Sequence, residues 1–107
     1  MTEKHWKTTW EPGMWQSMVF SFLAGVFGAN AIPHFVKGIT KEPFPTLFGP
    51  SPIVNVVGGW AMFLLAGSLV YWAHVDRNAA AAAASGALGV LLMGLFHASI
   101  GAFGRRA

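Results

Sequence analysis

Only eleven of the 107 residues carry a formal charge, and they leave three long stretches with none. Residues 12–36, 43–75 and 78–104 are uninterrupted runs of 25, 33 and 27 positions without Lys, Arg, Asp or Glu. A helix of about 20 apolar residues crosses a hydrocarbon core about 30 Å thick, and only helices or closed barrels satisfy their own backbone there. Each run is long enough. The chain therefore reads as all-α, a single integral membrane domain of three transmembrane helices. The expected division is an interfacial segment over 1–13, spans over 14–35, 52–74 and 79–103, and a Pro-rich loop over 36–51 between the first and second. A charged fraction of 10% leaves too little polar surface for a globule in water, where about 25% is usual.

The boundaries carry their own signals. Trp6, Trp10 and Trp15 suit one membrane–water interface, and Tyr71 and Trp72 return to it near the end of the second span. Pro33 removes the N–H that would bond the Ala29 carbonyl, so the first helix is expected to kink or stop between Asn30 and Phe35. Pro43, Pro45, Pro50 and Pro52 bar a regular helix from the loop. Its Phe44, Leu47 and Phe48 are expected to dip into the interface, with Lys37 and Lys41 among the headgroups. Ser51 and Pro52 make a cap and first-turn pair. Gly58-Gly59 points to a discontinuous or closely packed helix. His74 to Asn78 is so short a connection that spans two and three are expected to form a tight antiparallel hairpin, with Asp76 or Asn78 capping the third. Six alanines then open that helix, alanine being the best helix former. Ala29-Asn30-Ala31 resembles a signal-peptidase site, but the segment before it is long, rich in Trp and carries Glu3 and Glu11, so cleavage is not expected.

Several chemistries are disfavoured. The absence of cysteine excludes disulfides, thiolate metal sites and iron–sulfur clusters. The net charge of +3 is spread over separate segments with no basic stripe, so no nucleic-acid partner is expected. Lys37, Lys41, Arg105 and Arg106 on one side outnumber Lys4, Lys7 and Arg77 on the other, which favours a cytoplasmic C-terminus. There is no G-x-S-x-G, H-E-x-x-H, P-loop or paired carboxylate set, so no enzymatic activity is expected. No carboxylate lies in a span, so no metal site is expected, and no cofactor is required.

The polar residues inside the spans are the candidate site. Groups of this kind are costly in a bilayer and face protein or water by default. His34 follows Asn30 by one turn, and Asn30, His34, Asn55 and His97 lie at similar depth. One reading is structural: His34 caps a broken helix end, Asn55 satisfies loop carbonyls, and His97 is a hydrogen-bonded histidine in a helix seam. The other is a ligand, proton or cofactor site. In the third helix Gly86, Gly89, Val90, Met93, His97, Gly101 and Gly104 fall on one stripe, the pattern of close helix approach in lipid.

The stretch Asn30-Ala31-Ile32-Pro33-His34-Phe35, followed by Gly38, Phe44-Pro45 and Asn55-Val56, resembles a group of small, largely uncharacterised bacterial multi-pass membrane proteins. The resemblance implies a bacterial inner-membrane location and no particular activity. The resulting expectation is a small membrane protein that works as a homo-oligomer or as an accessory subunit of a larger membrane complex. One alternative is a small transporter or proton-linked carrier using membrane-embedded His34 or His97. Another is a haem- or pigment-associated electron-transfer subunit using the same histidines.

Overall fold

The computed structural model describes residues 13–101. They form three α-helices: α1 (Met14–Ile39), α2 (Pro52–Ala73) and α3 (Ala79–Ser99), with a 3-10 turn over Val75–Arg77 between the last two. At 1.5 Å per residue these run about 39, 33 and 32 Å, each enough for a bilayer core. All three are apolar enough to cross a membrane, and the fold is an all-helical multi-pass arrangement suited to contact with lipid. Residues 1–12 of the interfacial segment and Arg105-Arg106 lie outside the described residues, as do positions 102–103 of the expected third span.

α1 is not broken at Pro33. It continues to Ile39, four residues past the expected end, so the connecting segment begins only at Thr40. A proline in a helix interior costs about 3 kcal/mol or more. Packing on both sides of it offsets that cost. Gly59 of α2 lies against the backbone of Ala31 and Phe35, and Gly38 lies against Pro52 and Val56. Contacts with α2 brace the helix where Pro33 cannot make its ladder bond.

A second expectation also fails. α2 and α3, though joined by a short connection, scarcely touch. Both pack on α1 instead. The reason is where the small residues sit. On α1, Ser17, Ser21, Ala24 and Ala31 are buried, and a side chain at Gly25 would run into the Gly86 carbonyl of α3, just as one at Gly89 would run into the Phe22 carbonyl of α1. Backbones approach closely there, as small residues permit in lipid. α1 is thus the central helix, with α2 and α3 on its flanks.

The connections are built by local hydrogen bonds. Ser51 accepts from the Val54 N–H at 3.0 Å and caps α2, with Pro52 in its first turn. α2 is continuous through Gly58-Gly59. At its far end His74 is left-handed, with φ of 50°, and the buried Ser17 hydroxyl of α1 donates to the Ala73 carbonyl at 2.5 Å. Gln16 donates to the Trp72 carbonyl at 2.8 Å. Neither Asp76 nor Asn78 caps α3 with its side chain: Asp76 sits in the 3-10 turn, and Asn78 donates to the Ser17 hydroxyl at 3.1 Å.

Candidate functional site

The site is assembled where α1, α2, α3 and the Pro-rich segment meet. Asn55, one turn into α2, is fully buried. Its amide nitrogen donates to the carbonyls of Phe44 at 2.7 Å and Ser51 at 3.0 Å. With the nitrogen so engaged, the amide oxygen faces α1 and accepts from His34 Nδ1 at 2.6 Å. One side chain thereby ties the loop to α2 and α2 to α1. His34 is mid-helix and does not cap a broken end; Asn55 does satisfy loop carbonyls.

A second pair lies beside the first. Asn30, one turn before His34 on α1, accepts at Oδ1 from His97 Nε2 of α3 at 2.7 Å. Its amide nitrogen donates to the Met62 sulfur at 3.0 Å, and a thioether is a weak acceptor. The four candidate residues therefore form two histidine–asparagine pairs, one joining α1 to α2 and one joining α1 to α3. Because each asparagine oxygen is an acceptor, each histidine donates through one nitrogen and, in the neutral ring, keeps the other as an acceptor.

Phe44 links the pairs. It does not dip outward with Leu47 and Phe48 but is buried. Its ring stands edge-on to His34 at 5.0 Å between centroids and tilted against His97 at 6.3 Å. Phe44 thus packs against both histidine rings. The segment around it is ordered by its own bonds. The Phe44 N–H donates to the Pro50 carbonyl at 3.1 Å. The Thr46 hydroxyl donates to the Gly49 carbonyl at 2.5 Å and accepts from the Phe48 N–H at 2.9 Å. Gly49 has φ of 107°, a value that suits glycine. This tight turn presents Leu47 and Phe48 at its tip, 81% and 84% exposed. Lys37 pairs with Glu42 at 2.8 Å at the end of α1, an exposed contact of small energetic weight.

Beneath the turn lies a cavity of about 510 Å³, walled by α1, α2, α3 and the loop. Asn30, His34 and Thr46 are its polar lining residues, and Val54, Met62, Met93 and Phe96 are among its apolar walls. Volumes of this order, mostly apolar with a few polar groups, are typical of small-molecule pockets. Among the described residues no group of three or more His, Asp or Glu stands close enough to hold a metal ion.

The sequence pointed to Asn30, His34, Asn55 and His97, and the structure brings all four to one end of the molecule. Ser17 and Phe44 escaped that reading. A serine hydroxyl normally bonds back within its own helix, and a loop phenylalanine beside prolines carries no mark of burial. Compared with models of protein families, with curated proteins and with solved structures, the chain has no match.

Proposed function

We propose that the chain is a non-enzymatic multi-pass protein of the bacterial inner membrane, with its C-terminus in the cytoplasm, that works as a homo-oligomer or as an accessory subunit of a larger membrane complex. One observation carries this reading. On α3, Ala80, Ala84, Ala87, Leu91, Gly94 and Ala98 fall within about 40° of one line at 3.6 residues per turn. All six are exposed, and they lie opposite Gly89, which meets the α1 backbone. Lipid tails gain little from so shallow a face, whereas a second helix gains close backbone approach. The motif likeness at Asn30 to Phe35 supports the bacterial inner membrane, and the Lys and Arg distribution supports the orientation. The test is crosslinking in native membranes followed by native mass spectrometry. Multimers or a co-purifying subunit are expected, reduced by Ala84→Leu and Gly94→Leu. A monomer in both measurements would overturn the proposal.

A second reading, a proton-linked carrier, draws on the two histidine–asparagine pairs beside one cavity, since each imidazole keeps an acceptor nitrogen that can take a proton. An uptake or growth phenotype lost in His97→Ala supports it; a phenotype unchanged by that substitution counts against it.

A further inference from the structure

We infer that the cavity beneath the Thr46–Gly49 turn binds a lipid-soluble molecule with an apolar chain and a neutral hydroxyl head, which donates its hydrogen bond to Nε2 of His34. The inference starts from an unmet acceptor. The Asn55 amide nitrogen faces backbone carbonyls, so its oxygen faces His34, and Nδ1 of that ring must carry the proton. Nε2 is then a lone-pair acceptor. His34 is only 8% exposed and lines the cavity, and Nε2 has no protein partner among the described residues.

An acceptor in an apolar chamber selects for a donor. A ketone, ester or ether oxygen offers none, and a carboxylate would set its lone pairs against those of the ring. Asn30 lies one turn away on the same face of α1. Among the described residues its amide hydrogens are held by the Met62 sulfur alone, so one can be given to the oxygen of the same hydroxyl. One O–H group then donates to His34 and accepts from Asn30, which is the full hydrogen-bonding capacity a buried hydroxyl needs. The rest of the chamber, with Met62, Met93 and Phe96, takes a hydrocarbon chain, and the methionines adapt to its shape. Entry is lateral, through the gap that α2 and α3 leave by not packing on each other.

The same hydroxyl chemistry is offered by a long-chain alcohol and by a protonated fatty acid. The test uses the full chain labelled with 15N-histidine in phosphatidylcholine nanodiscs, whose lipids carry no hydroxyl donor. The histidine resonances are assigned from single-histidine substitutions. Titration with 1-dodecanol or dodecanoic acid is expected to move the His34 Nε2 resonance upfield with saturation, and the tighter of the two names the source of the hydroxyl. Dodecyl methyl ether, the same chain without the donor, is expected to bind about tenfold more weakly. Gly58 lines the cavity and has open space where a Cβ would stand, so Gly58→Leu takes up chamber volume from a position where the added Cβ meets no neighbour. This variant is expected to keep its helix content and melting temperature and to bind dodecanol at least about tenfold more weakly. Equal binding of ether and alcohol, an unmoved Nε2 resonance, or unchanged binding in a folded Gly58→Leu variant would each overturn the inference.

Discussion

Asn55 concentrates more structural consequence than any other described side chain. It replaces hydrogen bonds that the loop carbonyls and His34 could not find in lipid, and a buried polar group left without a partner costs about 1–3 kcal/mol. Asn55→Ala abandons the Phe44 carbonyl, the Ser51 carbonyl and His34 Nδ1 together. The expected loss is about 3 kcal/mol or more in reversible SDS unfolding from mixed micelles. Ser68→Ala is the contrast. Its exposed hydroxyl only bonds back to the Leu64 carbonyl, and its removal should change stability by less than about 0.5 kcal/mol. Ser21 presents the opposite case. Its buried hydroxyl has no partner among the described residues, so Ser21→Ala is expected to raise stability by up to about 1 kcal/mol in the same measurement.

At the level of helices, the glycines divide by what stands in front of them. A methyl group at Gly59 meets the α1 backbone, and one at Gly89 meets the Phe22 carbonyl. Gly59→Ala and Gly89→Ala should each cost about 1–3 kcal/mol through overpacking. Gly67 faces open space, so Gly67→Ala should stabilise α2 by about 0.5–1 kcal/mol through helix propensity alone. Thermal unfolding in micelles followed by circular dichroism separates the two classes. These glycines also show what could be read in advance. The charge-free runs are a matter of composition, so the three helices were legible, and Ser51-Pro52 announced the start of α2 because a cap acts over three residues. Pro33 misled because a local rule met a non-local answer: Gly59 and Asn55, more than twenty residues away, hold the helix on either side of it. The expected α2–α3 hairpin failed similarly, since a short connection fixes adjacency but not which faces mate. The four polar candidates stood out against apolar surroundings. Their pairing, His34 with Asn55 and His97 with Asn30, depended on helix rotations that the chain order does not encode, and the burial of Phe44 on a loop closure that becomes visible only once Asn55 is placed.

For the whole molecule, three passes put the Pro-rich turn and the C-terminal end of α3 on one side of the membrane and the α2–α3 connection on the other. The natural chain has no cysteine, so single replacements report without background. Phe48→Cys and Ile100→Cys are expected to react with an impermeant maleimide from the same side of sealed vesicles, and Asp76→Cys from the opposite side. Labelling of all three from one side would contradict a three-pass topology. The central position of α1 reaches further than topology. With its two neighbours fastened to it and not to one another, the molecule has two separable attachments in place of one shared core. Pulled from its C-terminal end out of a bilayer, it should yield in two ruptures: α3 comes away first, and a two-helix remainder stays anchored by Asn55 until a second, higher force.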